Sequence, residues 1–151
     1  MKTDVGKARA LVASAKTATL STIATRPAGH PFGSLVALAV DDGGRPLLLL
    51  SSLAEHTKNL EASPLASILV AGEGGLAGPR VTLLGQCARV PGGEVEAARA
   101  TYLAAHPDAS AWASFRDFAF WRLAIEDVRF VEGFGRMGWI APADYAAVTA
   151  R

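Results

Sequence analysis

Apolar and polar residues alternate along most of the chain, and the points where the period changes mark out its elements. Val5, Ala8, Leu11, Val12 and Ala15 fall at helical spacing, and Asp4 stands where it complements the helix dipole, so residues 4 to about 15 are predicted to form an amphipathic helix. The pattern then switches to period two. In "TATLSTIAT" (17–25), Ala18, Leu20, Thr22 and Ala24 share one face and Thr19, Ser21, Ile23 and Thr25 the other, and the β-branched content favours a strand. "RPAGHP" (26–31) is turn chemistry, and "FGSLVALAV" (32–40) is a second strand closed by Asp41-Asp42-Gly43-Gly44, a hairpin signal. "RPLLLLS" (45–51) supplies a third strand, whose unbroken leucines imply cover on both faces.

Two further strands are predicted in "ASILVAG" (66–72) and "RVTLLGQCARV" (80–90), separated by the glycine-rich "EGGLAGP". The second sets Val81, Leu83, Gly85 and Cys87 against Thr82, Leu84, Gln86 and Ala88, and the lone glycine marks a bulge or a close approach. After Pro91-Gly92-Gly93, "EVEAARATYLAAH" (94–106) returns to helical spacing through Val95, Ala98, Tyr102 and His106, and Pro107 ends it. Within the aromatic-rich segment 112–135, "FAFWRLAIE" and "DVRFVEGFG" both alternate and read as two closing strands separated near Glu126-Asp127. Six or seven strands joined mostly by short turns, with helices at three insertions, predict a mainly β fold. The expected form is a closed or split antiparallel barrel, not a parallel sheet of βαβ units.

Composition narrows the class. At 151 residues with 50% hydrophobic content, the chain suits one domain, residues 1–151, with a sizeable core. Its 15 basic and 14 acidic residues are interspersed, so it lacks the footprint of a nucleic-acid or membrane-surface binder, and any anion site must be local. The lone Cys87 excludes an internal disulfide framework and fits a reducing compartment, which makes cytoplasm the expected location. Charges run through the first nine residues, unlike a signal peptide, and "PLLLLSSLA" falls far short of the roughly 20 residues that span a bilayer.

Chemistry concentrates in "SSLAEHTKNLEASP" (51–64). Ser52 and Glu55 have the S-x-x-E spacing of a capping box, and Ser63-Pro64 stops the helix. Ser51, Thr57 and Lys58 are not explained by capping: hydroxyls and a lysine at a strand-to-helix junction suit a phosphate, drawn by free amides and the dipole's positive end. A capped surface helix and a phosphate pocket both remain open on these residues. His56 is expected to be exposed or hydrogen-bonded, and His30 and His106 form no metal pattern. Arg80 opens a strand after a glycine-rich loop, and Arg136 lies among glycines in "GFGRMGW". Trp112, Phe115, Phe118, Phe120 and Trp121 are expected in the core or at a dimer interface.

Taken in order, "TATLSTIA", "HPFGSLVALAVDDGGRPLLLLSSLAEHTKNLEASPLASILV", "RVTLLGQCARV" and "FVEGFGRMGWI" resemble the pyridoxamine 5'-phosphate oxidase-like FMN-binding split-barrel family, in its haem-utilisation-related branch. The resemblance covers about residues 10 to 140. It implies a homodimer with two FMN sites at the subunit interface, each contacted by both chains, a number of apolar residues high for so small a domain being consistent with this. By resemblance, Ser34, Leu35 and Val36 lie along the flavin and ribityl chain. Ser51 and Ser52 sit at the end of the third strand, with Thr57, Lys58 and Asn59 towards the phosphate. Arg80, Thr82 and Gln86, contributed by one chain or the other, and Arg136 complete the set. The implied activity is an FMN-dependent oxidoreductase of open substrate and with no assigned catalytic residue. The phosphate helix reads "EHTK" where the oxidases carry an Arg-Lys pair, and no histidine follows His106. Alternatives are a non-catalytic flavin-binding or regulatory dimer, or a haem-degrading protein lacking the usual C-terminal domain.

Overall fold

A computed structural model describes residues 3–149. Helix α1 (Val5–Ser14) begins at Asp4, which is the N-cap itself: its carboxylate accepts from the Lys7 amide at 3.1 Å. Strands β1 (Thr17–Thr25) and β2 (Ala28–Ala37) form a hairpin, so the predicted turn shrinks to Arg26-Pro27 and the second strand starts earlier. The predicted strand 32–40 breaks at Leu38, and a short β3 (Ala39–Val40) pairs instead with β4 (Pro46–Ser51). Helix α2 (Glu55–Ala62), β5 (Leu65–Ala71), β6 (Arg80–Arg89) and helix α3 (Val95–Ala105) follow within a residue or two of expectation.

The chain closes with β7 (Phe118–Gly133), β8 (Arg136–Ile140) and a short helix α4 (Pro142–Ala146). Here the sequence reading is corrected: the two closing strands are one continuous 16-residue strand, β7, and the final strand β8 lies beyond them. The apparent break at Glu126-Asp127 is a β-bulge. Leu84 of β6 faces Asp127 and Gly85 faces Ile125, leaving Glu126 as the extra residue. A bulge reverses the face on which alternation falls, which from the sequence looks like an interruption. Gly85 is required there, because a Cβ on it would fall on the Ala124 carbonyl oxygen.

All pairings are antiparallel, in the order β2-β1-β5-β6-β7-β4-β3, with β8 added to β7. This is the mainly β, helix-flanked split-barrel architecture, with eight strands among the described residues in place of six or seven. The sheet curls until β2 approaches β4. Its concave side holds Leu20, Leu48, Ile68, Leu83, Leu123 and Phe130, all almost fully buried. A second cluster, around Leu47, Leu49, Tyr102 and Phe120, lies between α3 and the strands β4 and β7. Both faces of β4 are thus covered, as its leucine run requires.

Arg9, Tyr145 and Gly44 tie three distant segments. The buried Arg9 guanidinium donates to the carbonyls of Tyr145 (2.7 Å) and Asp42 (2.8 Å) and lies 5.0 Å from the Tyr145 ring centre. The Tyr145 hydroxyl donates to the Gly44 carbonyl at 2.7 Å. Burial raises the pKa of that phenol, with a smaller opposing effect from the Arg9 charge.

Candidate functional site

Strand β4 runs out of the core at Ser51, and the chain must turn before α2 begins. The turn is built from Ser51, whose hydroxyl accepts from the Leu53 amide at 3.1 Å and donates to the Asp117 carboxylate at 3.0 Å. Asp117 also accepts the Ser52 amide on its own carbonyl, at 2.6 Å. The capping box is a second correction. The N-cap of α2 is Ala54, with no side-chain cap, and Ser52 is exposed two residues ahead of that cap position. Ser51 and Asp117 hold the entry that Ser52 and Glu55 were expected to hold.

Removing the cap leaves α2 open at its positive end. The amides of Thr57 and Lys58 reach back to the Ala54 carbonyl at 3.1 and 3.2 Å, which leaves those of Glu55 and His56 without an intrahelical acceptor. The Thr57 hydroxyl is enclosed by the protein and has no hydrogen-bond partner. Lys58 lies on the same helix with its side chain about half exposed, 3.5 Å from Glu55. Both partners are well solvated, so this pair holds Lys58 only weakly. Asn59 is placed differently from its neighbours: its amide donates to Thr22 Oγ1 at 3.0 Å and its carbonyl accepts the Thr25 amide at 3.1 Å, pinning α2 to β1.

His56 is half-buried in the first turn of α2, and desolvation lowers its pKa. With the folded value below the unfolded one, its contribution to stability is full above the unfolded pKa near 6.5 and is lost as pH falls through the folded value. The stability difference between the wild type and His56→Asn, measured by urea unfolding at pH 7 and pH 5, is therefore expected to shift against the wild type at the lower pH. A difference that does not change with pH would refute this.

The remaining candidates occupy two other places. On β2, alternation puts Ser34 and Val36 towards the barrel interior and leaves Leu35 on the outer face, 80% exposed. This strand pairs only with β1, so its other edge presents unpaired backbone groups. Arg80, Thr82 and Gln86 all lie on the outer face of β6. Arg80 donates to the carbonyls of Leu76 (2.9 Å) and Gly78 (3.3 Å), Thr82 stands between Leu69 and Arg129, and Gln86 between Leu65 and Ala124. Between β2 and β6 lie β1 and β5, three interstrand steps or roughly 14 Å. Arg136 stands at the β7–β8 turn, exposed, 3.8 Å from Glu132.

The chain therefore gathers Ser51, Ser52, Thr57 and Lys58 at the β4–α2 junction, and holds Arg80, Thr82, Gln86 and Arg136 elsewhere. Asp117 is the residue the sequence reading missed. It lies 66 residues from Ser51 and belongs to no local motif, so only the pairing of β4 with β7 reveals it. Among the described residues, no group of three or more His, Cys, Asp or Glu could hold a metal, and no helix is long and apolar enough to cross a membrane. Cys87 is buried, and desolvation raises its thiol to about 12, so it is no nucleophile.

Comparison with known proteins agrees with this architecture. A chloroplastic haem oxygenase, HOZ, of Arabidopsis thaliana is 44% identical over 115 residues, which are 76% of this chain and 36% of that protein. Protein CREG2 of Mus musculus is 26% identical over 170 residues, 99% of this chain and 58% of its own length. The solved structure of a haem-binding protein from Mycobacterium smegmatis superposes with a TM-score of 0.90 at 37% identity, over 99% of this chain and 63% of that one. This chain thus spans between about a third and two thirds of the length of these relatives. The family model described as "CREG, beta-barrel" matches residues 1–147, and the chain belongs to that family, within the pyridoxamine 5'-phosphate oxidase-like split barrels.

Proposed function

We propose that this protein is an FMN-binding flavoprotein and an oxidoreductase of the pyridoxamine 5'-phosphate oxidase-related class. In this reading residues 1–151 form a single cytoplasmic split-barrel domain that works as a homodimer. The observation that carries it is the start of α2, with two free amides, an enclosed hydroxyl without a partner and a loosely held lysine on one short helix. That donor set fits a phosphate monoester: the Glu55 and His56 amides bind it along the dipole, and Lys58 adds a point charge. Thr57, enclosed as it is, joins only if the first turn of α2 opens by a small adjustment.

When bound, FMN supplies the redox chemistry through its isoalloxazine. The chain's own part is to bind and orient. Ser51 and Ser52, held by Asp117, shape the entry to α2. The free edge of β2 at Ser34, Leu35 and Val36 offers backbone donors and acceptors beside it. Arg80, Thr82 and Gln86, some 14 Å away across the sheet, serve the same cofactor only if a second copy brings them. Arg136 remains a peripheral member of the set, and Asn59 acts by anchoring α2.

The haem-oxygenase and haem-binding relatives favour a second reading, in which the chain binds or degrades haem. Of its three histidines, His106 is engaged with the Leu38 carbonyl at 2.7 Å, so His30 and His56 are the two that would be able to hold a haem iron. Parallel titrations of the purified protein with FMN and haemin separate the readings. The expected result is saturable FMN binding with quenched flavin fluorescence, whereas binding of haemin with none of FMN would overturn the flavin assignment. Bound flavin that never turns over with a set of electron donors and acceptors would favour a regulatory dimer.

A further inference from the structure

Helix α1 turns Ala8 and Val12 into the core, and its opposite side is bare of bulk. Gly6, Ala10 and Ala13 recur there at helical spacing, none with a side chain long enough to reach the chain that leaves α4. Between these residues and Ala147 and Val148 lies a cavity of about 810 Å³, the size of a small-molecule site.

Arg9 lines the same cavity and carries the one charge on its described walls. Among the described residues it is also the one charged side chain that is buried, at 7% exposed, and no carboxylate lies within ion-pair distance of it. The Tyr145 and Asp42 carbonyls take two of its five N–H donors, and both are neutral. The Asp41 carboxylate, in the same turn as Asp42, is committed to the Arg45 side chain at 2.8 Å and to the Gly43 and Arg45 amides at 3.0 and 2.9 Å. A buried cation that meets only dipoles is incompletely compensated, and a monoanion in the cavity completes it.

The walls select among anions. One guanidinium balances a carboxylate but leaves a phosphate monoester dianion half matched, and its planar fork fits two carboxylate oxygens. The remaining walls are small side chains with no aromatic ring, so they cover an alkyl chain and offer no stacking partner to a planar ring system. We propose that this cavity binds an alkyl monocarboxylate, a fatty acid, with its carboxylate on Arg9 and its chain along Ala10, Ala13 and Val148. The cavity shares no residue with the β4–α2 junction, so FMN and the fatty acid bind independently.

The test is isothermal titration calorimetry of the full chain with decanoate, decanol and decyltrimethylammonium, each below its micelle concentration. Decanoate is expected to saturate one site per chain, roughly 10-fold or more tighter than decanol, with no binding of the cation. Arg9→Gln is expected to bring decanoate down to the affinity of decanol. Because Arg9 also ties α4 to the β3–β4 turn, that variant is checked for native circular dichroism, and Ala13→Leu decides if it loses its fold. Ala13 is exposed, so a leucine there fills the cavity without entering the core and is expected to weaken decanoate roughly 10-fold or more, with stability in urea unchanged. Decanoate that binds no tighter than decanol, or that keeps its affinity for Ala13→Leu, would overturn the proposal. Displacement of decanoate by FMN or inorganic phosphate would also overturn it, by placing the anion at α2.

Discussion

Gly85→Ala is expected to lower the stability of the protein by about 3 kcal/mol or more, the upper end of what overpacking a close contact costs. The added methyl would fall on the Ala124 carbonyl oxygen, a backbone atom of the neighbouring strand, with the carbonyl carbon and the Glu126 amide also within contact distance. A flexible side chain could swing away; a carbonyl held in the β6–β7 ladder cannot. Relief requires β7 to separate from β6 or to lose its bulge, and these two strands carry the longest pairing in the sheet. Gly93→Ala is the control: a Cβ there meets nothing within 4 Å, so its change should stay within about 0.5 kcal/mol. Urea unfolding of the two variants and the wild type decides the matter, and a Gly85→Ala protein as stable as the wild type would show that the bulge is not rigid.

Lys58→Ala is expected to weaken FMN binding by about 1.5 to 3 kcal/mol, roughly 10- to 150-fold, the usual range for a hydrogen bond to a charged group. The lysine is only loosely held by Glu55, so it is free to turn to a phosphate at the open end of α2. Its side chain is about half exposed, so its removal disturbs little packing, and a loss of affinity without loss of stability in urea unfolding would report on the ligand and not on the fold. Lys58→Arg should recover much of the affinity, since the charge remains while the reach and geometry differ. Fluorescence titration with FMN provides the measurement. An unchanged affinity in Lys58→Ala would remove the phosphate from this helix.

Much of the fold was legible in local pattern. The faces of β1 and β6 follow their alternation residue for residue: Ala18, Leu20 and Ala24 are buried, as are Val81, Leu83 and Cys87. The buried run of β4 and the inward face of α3 at Ala98 and Tyr102 were equally plain. Errors arose where a distant segment decides a local outcome. The bulge at Glu126 reads as a strand end, because alternation records only which side a residue faces and not whether the ladder continues. The capping box failed for a related reason. Ser52 and Glu55 have the correct spacing, but Asp117 takes the Ser52 amide and holds Ser51, which fixes the turn and moves the helix start to Ala54.

The candidate site divides along the same line. That a short helix bearing hydroxyls and a lysine should follow the third strand was visible in "SSLAEHTKNLEASP", since these are local properties of a short stretch. The placement of Asn59 was not: its side chain could serve a ligand or the fold, and only the packing of α2 against β1 gives it to Thr22 and Thr25. Likewise, nothing local separates Ser34 from Thr82, yet the strand order sets them on strands three steps apart.

By itself, the sequence determined the class of fold, the order of the elements and the face each strand buries, because hydrophobic period and turn chemistry act over a few residues. The tertiary structure alone decided which strands become neighbours, that α2 begins uncapped with its amides free, and that Glu126 is left outside the β6–β7 ladder at a bulge. Those outcomes depend on contacts between residues far apart in the chain, whose free energy is realised only once the sheet has curled and its register is set.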